Sequence, residues 1–362
     1  MKSELKNICD LINERISANE LINNNLASTY VSTESMLPNK RGITNPSSIP
    51  NKGTTTAYKK DDVLVSNIRP YFKKIWSANY DGVCSNDVLV FRAKNTADAN
   101  FLYYVLANDD FFVYSMATSK GTKMPRGDKA SIMKYEVESF DLNTQRKIAN
   151  ILKPIDKKIE LNNAINNNLE QQAQSIFDNM FSNISNGPCT IGDYITPKRG
   201  KSLLSKNAIF GNVPVIAGGL EPSTYHNVAN TRSPVLAISA SGANAGYVSL
   251  WNIPIWSSDS SYIDSSMTDD VYFWYVLLKK RQKEIFDAQT GSAQPHIYPQ
   301  HIASMSVSNL DIEEVHSYTS IVTPIFEIIG HHKEENTRLA SLRDTLLPKL
   351  MSGELDVSDI EI

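Results

Sequence analysis

A chain of 362 residues, 41% hydrophobic and 21% charged, has room for two or three domains of ordinary size and the make-up of a folded globular protein. Its apolar runs fall short of the roughly 20 residues that cross a bilayer. The opening MKSELKNICDLINERIS is charged and amphipathic rather than a signal peptide, and three scattered cysteines (Cys9, Cys84, Cys189) argue against a disulfide framework or a zinc site, so a reducing, cytoplasmic setting is expected. The net charge of −3 is uneven: residues 20–140 carry about +3, 188–310 about +1 and 311–362 about −7, which permits nucleic-acid binding without demanding it.

In chain order, residues 1–16 place Leu5, Ile8, Leu11, Ile12 and Ile16 at helical spacing and predict a leading helix. Residues 28–58 are rich in Ser, Thr, Asn, Pro and Gly and predict loops, with a short strand at Tyr30–Val31. DVLVS and NDVLVFR predict short strands, and Ala99–Met116 one buried helix with an aromatic face. From Asn143 to Phe181 apolar residues recur in steps of four and three: Ile148, Leu152, Ile155, Ile159, then Leu169, Ala173, Ile176 and Met180. That is the seam of a helix roughly 50 Å long meant to lie against another helix, polar in its middle at Asn162 and Asn166. SNISNGP (Ser182–Pro188) is a turn-rich boundary. Beyond it VPVIAG, PVLAIS, YVSLW and SYID predict strands and Asp269–Phe286 a helix. A second long helix begins at Asp311, with Glu314 completing an Asp-capped variant of the capping box.

The two halves repeat each other. About 170 residues beyond the first seam lie Tyr318, Val322, Ile325, Ile329, His332, Asn336, Leu339, Arg343, Leu346 and Leu350, which reproduce its apolar register and its polar gap. Pro154 answers to Pro324, each expected near the start of its helix. If the helices run antiparallel, their polar middles face each other and fix the register. Nearly the same offset relates KKDDVLVSNIRP to RSPVLAISASG, CSND to WSSD, FLYYVL to YFWYVL, and GTKMP to GSAQP. The predicted class is α+β: mixed α/β units over 1–140 and 188–310, with long helices over 141–187 and 311–362, the latter ending in a tail.

Motifs for catalysis are missing. GKS (Gly200–Ser202) lacks the earlier glycine of a phosphate-binding loop, which is Ile195, and NPSS (Asn45–Ser48) lacks the Pro-aromatic pair of an amino-methyltransferase. SASG (Ser239–Gly242) is not a nucleophile elbow, and the six histidines show no metal-ligand spacing. A binding protein is expected, with no catalytic residue, metal or cofactor.

The order of unit, helix, unit, helix resembles the specificity (S) subunit of type I restriction–modification enzymes. YKKDDVLVSNIRP, DGVCSNDVLVF, the GTKMP and GSAQP loops, NTQRKIANIL and above all RDTLLPKLMSGEL (Arg343–Leu355) carry the resemblance over essentially the whole chain. It implies two target-recognition domains, each reading one half of a split double-stranded DNA site. It also implies an antiparallel helical spacer that docks two methyltransferase subunits, partnership with restriction/translocase subunits, and no membrane or catalytic role. The helix-helix seam is then Ile148, Leu152, Ile155, Ile159, Asn162, Asn166 and Leu169 against Val322, Ile325, Ile329, His332, Asn336, Leu339, Leu346 and Leu350. A spacer of that length acts as a ruler for the unread gap, on the scale of a duplex turn of ~34 Å.

Base edges and phosphates are met by Arg, Lys, Asn, Gln and Ser on turn-rich loops. In the first unit these are Lys40 and Arg41, then Arg69, Lys73 and Lys74, then Lys120, Thr122, Lys123 and Arg126. In the second they are Ser241, Asn244, Ser292, Gln294 and His296, with Lys198, Arg199 and Lys201 as a phosphate patch. The loop pairs that answer to each other across the two halves, 66–74/239–246 and 120–126/290–296, carry the expectation more than any single residue. A non-catalytic protein–protein scaffold, two adaptor domains on a helical spacer, is the alternative.

Overall fold

The computed structural model describes residues 2–17, 20, 26–46, 48–50, 52–121, 123–291 and 294–360. It divides the chain into two compact units, Met1–Ile159 with Arg338–Ile362, and Glu160–Thr337. This division does not follow the linear order. Both long helices, Leu142–Met180 and Ile312–Met351, run unbroken and give one segment to each unit.

In the first unit Cys9–Ile12, Val88–Ala93, Val63–Ser66 and Ile75–Ser77 form an antiparallel sheet in that order. Alternate residues face opposite sides of a strand. Val63, Val65, Leu89 and Phe91 therefore enter the core shared with the helices, whereas Leu64, Val88 and Val90 pack with Tyr58 and Met36 behind the sheet. Burial on both faces is why DVLVS and NDVLVF read as continuous apolar runs. A second sheet, Arg15–Ser17, Thr54–Tyr58, Gly82–Cys84 and Tyr30–Val31, closes with a parallel pair.

The second unit repeats the first sheet strand for strand: Lys198–Arg199, Ser260–Asp264, Val235–Ser239 and Val248–Trp251. Its second sheet has three strands, Thr224–His226, Val213–Ile216 and Trp256–Ser257, and again contains a parallel pair. The helix Val271–Lys280 is buried along almost its whole length.

The long helices pack antiparallel inside each unit. In the first, Ile148, Ala149 and Leu152 meet Leu347 and Leu350 in one core, and Asp156 pairs with Arg343 at 2.8 Å. In the second, Asn162 bonds Asn336 at 2.8 Å, Asn166 bonds His332 at 2.8 Å, and the Tyr318 hydroxyl donates to the Ala173 carbonyl at 3.1 Å. Of the remaining seam residues Val322 and Ile329 are buried, while Ile155, Ile159, Leu169, Ile325, Leu339 and Leu346 are half-buried.

Several local expectations are corrected. The leading helix is absent: Lys2–Glu4, Cys9–Ile12 and Arg15–Ser17 are strands joined through a 3-10 turn at Leu5–Asn7. Their partners, Glu136–Glu138, Val90–Ala93 and Thr54–Thr56, lie far along the chain, so remote pairing overrides a local spacing that suits either form.

Ala99–Met116 is two helices, Ala99–Ala107 and Asp109–Ala117. Asn108 is extended between them, and its side chain accepts from the Asp110 amide as an N-cap. Asp269–Phe286 likewise breaks at Arg281, whose buried guanidinium bonds Glu284 and the Ser306 carbonyl. Pro154 and Pro324 stand twelve residues inside their helices with exposed rings rather than at the starts. Toward the end of the first long helix Phe177, not Ile176 or Met180, is the fully buried residue. It is drawn into a ring cluster with Phe181, Phe273 and Tyr318 at centroid distances of 5.0, 5.6 and 5.4 Å. At the start of the second, Asp311 caps through the Glu313 amide at 2.9 Å.

Candidate nucleic-acid interface

Each unit brings its two basic or polar loops together, and does so with the same backbone bonds. In the first unit Ile68 and Lys120 each bridge Arg126, and the Arg69 amide donates to the Pro125 carbonyl at 2.9 Å. In the second Ser241 and Thr290 each bridge His296, and the Gly242 amide donates to the Pro295 carbonyl at 3.0 Å. The strand end before each loop is tied to a repeated aspartate: Asn67 N–H to the Asp87 carbonyl at 2.8 Å, Ala240 N–H to the Asp259 carbonyl at 3.1 Å. Gly121 and Gly291 take φ of +91° and +92°, a left-handed conformation that glycine adopts without strain.

The side chains on this common frame differ. Arg126 grips the Asp87 carboxylate through Nε and Nη2, both at 3.2 Å. In the second unit Asp259 is held instead by Arg199 at 2.5 Å and by the Ser241 hydroxyl. Asn244 reaches the Gly218 carbonyl at 3.5 Å, Gln294 is exposed, and the His296 ring stacks on Tyr298. These ion pairs preset the orientation of Arg126 and Arg199 while leaving their outward N–H groups able to donate, since each is about half exposed.

The other first-unit cations sort by their partners. Lys120 pairs with Asp128 at 2.8 Å, and that hydrogen bond with those from Ser131 holds the Asp128 carboxyl down at about 2. Lys73 pairs with Asp109 at 2.7 Å, and Lys74 donates to the Thr33 carbonyl at 2.6 Å. Arg41 is exposed and donates to the Pro38 carbonyl at 3.1 Å. Lys40 is the exception to the expected list. Its side chain is only 6% exposed, with Nζ 2.9 Å from Asp109 and 3.8 Å from Asp344, so it ties the unit together and is turned away from any phosphate. Lys123, Lys198 and Lys201 are exposed and make no ion pair among the described residues. Thr122 and Ser292 lie outside the described residues.

Sequence reasoning missed three features of this surface. The two aspartates were visible only as the repeated last letter of CSND and WSSD. The exposed Tyr71 and Phe72, rings 4.7 Å apart, sit on a one-turn helix between Arg69 and Lys73, both at φ +50°. That turn is held by the Asn39–Lys40 turn, itself left-handed at +58° and +61°, through bonds to the Phe72 and Lys73 carbonyls at 2.9 Å. Four non-glycine residues in this sparsely populated region mark a conformation that the surroundings impose. The third feature is Phe210, 96% exposed. Among the described residues no group of His, Cys, Asp and Glu is arranged to hold a metal ion, and no helix is long and apolar enough to cross a membrane.

A family model described as type I restriction modification DNA specificity domain matches residues 1–171. The type I restriction enzyme MjaIX specificity subunit of Methanocaldococcus jannaschii is 24% identical over 74% of this chain and 71% of its own. The HindI specificity subunit of Haemophilus influenzae is 24% identical over 90% and 94%. The crystal structure of a type I restriction-modification S subunit from M. genitalium matches with a TM-score of 0.56 at 19% identity, covering 97% of this chain and 96% of that one.

Proposed function

We propose that the chain is a type I restriction–modification specificity subunit, a non-catalytic protein of DNA recognition, as its match to that family's model over residues 1–171 and its 24% identity to two such subunits support, and that it reads a bipartite, asymmetric double-stranded site, one half with each unit. The observation that carries this reading is the repeated frame: identical backbone bonds join the paired loops of both units, while the side chains mounted on them differ. A shared frame gives both units the same way of meeting a groove, and different side chains give them different bases to read. Lys123, Lys198 and Lys201 then meet phosphates, and Arg126, Asn244, Gln294 and His296 face base edges. The long helices dock the methyltransferase subunits, in two copies, and restriction/translocase subunits join that complex in the cytoplasm.

The test is co-expression with the methyltransferase subunit of the same system, followed by mapping of methylated positions across the host genome. A split motif with a fixed gap is expected, altered in one half only when residues 20–140 are exchanged for those of another subunit. Methylation that ignores this exchange, or is absent, would replace the reading with a protein scaffold.

A further inference from the structure

The strand that leads into the three-stranded sheet of the second unit is preceded by a tip whose backbone is pinned and whose side chains are bare. The Lys201 amide donates to the Ser257 carbonyl at 2.9 Å, and the Leu203 amide to the Ser258 hydroxyl at 2.9 Å. The Ile209 amide donates to Nδ1 of His226 at 3.0 Å. Gly211 lies so close to the neighbouring strand that a Cβ there would be 2.4 Å from the Asn227 Cα. Phe210, fixed on both sides, is nevertheless 96% exposed, with Ile209 at 61% just before it in the chain and Leu204 at 56% six residues earlier.

A single exposed apolar side chain needs no explanation, but three within seven residues, Leu204, Ile209 and Phe210, mark a surface that a partner covers. The charge around it says which partner. Lys198–Gly211 contains Lys198, Arg199, Lys201 and Lys206 and no carboxylate, and among the described residues the three lysines make no ion pair. Cations flanking an apolar tip match a duplex, whose phosphates border a stack of bases that an apolar wedge enters.

We propose that Phe210 is a DNA wedge: it inserts at a base step next to the half-site read by the second unit, while Lys198, Lys201 and Lys206 hold the flanking phosphates. The proposal rests on the DNA-reading function above. Reach is sufficient. The strand Val213–Ile216 carries the chain from Phe210 to Gly218, where a Cβ would be 2.6 Å from the Ser241 carbonyl oxygen. Eight residues at about 3.3 Å each span less than one duplex turn of ~34 Å, so one duplex can touch both ends. Among the described residues the first unit shows no matching tip; Tyr71 and Phe72 are exposed on its reading loop itself, where the second unit has Asn244 and Ala245. Specificity thereby gains a component from the ease of unstacking one step, at a position no side chain reads by hydrogen bonding.

The experiment uses the complex with its methyltransferase subunits and target duplexes carrying 2-aminopurine at successive positions across and beside the second half-site. The expected result is a fluorescence rise at one step, lost in Phe210→Ala, kept in Phe210→Trp, with the Ala variant binding ~10-fold more weakly. The exposed position predicts an unchanged thermal transition for both variants. Tight DNA binding without a fluorescence rise at any step overturns the wedge, as does Phe210→Ala failing to assemble with the methyltransferase, which would make the tip a protein-docking surface. No DNA binding by the wild-type complex overturns the function proposed above, and the wedge with it.

Discussion

The side-chain amide of Asn162 donates to the side-chain oxygen of Asn336 at 2.8 Å, and one turn further on Asn166 and His332 share a hydrogen bond of the same length. Asn162 is fully buried and also donates to Glu335 at 2.7 Å. A polar layer inside an apolar seam fixes register, because any slip strands its donors among hydrocarbon. Asn336→Ala removes an acceptor from a buried donor and should cost ~1–3 kcal/mol, seen as a fall of a few degrees in Tm. Replacing Asn162 and Asn336 together by Leu should restore or exceed the original Tm. A double variant less stable than the single would show that the layer holds the helices by more than register.

The reading loops depend on two glycines that differ in how tightly they are packed. A Cβ at Gly291 would meet the Gln294 carbonyl oxygen at 2.6 Å, whereas one at Gly121 would meet the Met124 oxygen at 3.3 Å. Both have positive φ, so each Ala substitution is strained by ~1 kcal/mol or more. Gly291→Ala should therefore distort its loop more. Genome-wide methylation should show the second half-site degraded in Gly291→Ala and the first only mildly relaxed in Gly121→Ala. Equal damage to both halves by either variant would break the link between loop and half-site.

His316 at the start of the second long helix bonds Asp270 through Nδ1 at 2.9 Å, and that hydrogen bond, then the carboxylate's charge, raises the imidazole pKa. A raised folded pKa gives stability that is complete below the unfolded value of about 6.5 and is lost as pH rises through the folded value. Tm measured across that window should fall toward high pH by more in wild type than in His316→Gln. Identical profiles would mean the pair contributes nothing in solution.

How much of this was legible follows from where each signal resides. The duplication and the helix seam lie in long periodic text, so Asn162, Asn166, His332 and Asn336 could be paired before any coordinates. The correspondence of loop 66–74 with 239–246 and of 120–126 with 290–296 was visible as a repeat, while the joining of the two loops inside each unit, through the Arg69–Pro125 and Gly242–Pro295 bonds, needed the tertiary structure. The N-terminal strands were illegible because their hydrogen-bond partners are remote. Lys40 was misjudged for a related reason: a lysine in a Gly- and Pro-rich turn looks solvated until Asp109 and Asp344 arrive from elsewhere in the unit. Phe210 gave no sign, since a phenylalanine in sequence is assumed to be inside.

Lys40 and Lys201 supply the sharpest contrast between a structural and a nucleic-acid role. Lys201 is exposed and unpaired among the described residues, so Lys201→Ala should leave Tm unchanged. It should weaken binding to specific and non-specific duplexes alike and lower the salt slope, d log K/d log[salt], by ~0.9 in magnitude. The Lys40 ammonium is buried between two carboxylates, and its bond to Asp109, with that from Lys73, lowers the Asp109 pKa against the desolvation that would raise it. Lys40→Ala should cost about 1 kcal/mol of stability, small because Asp109 and Asp344 are themselves half exposed. Its salt slope should equal that of wild type. Equilibrium binding at several salt concentrations, paired with calorimetry, separates the two; a lowered slope in Lys40→Ala would return that lysine to the DNA-facing surface.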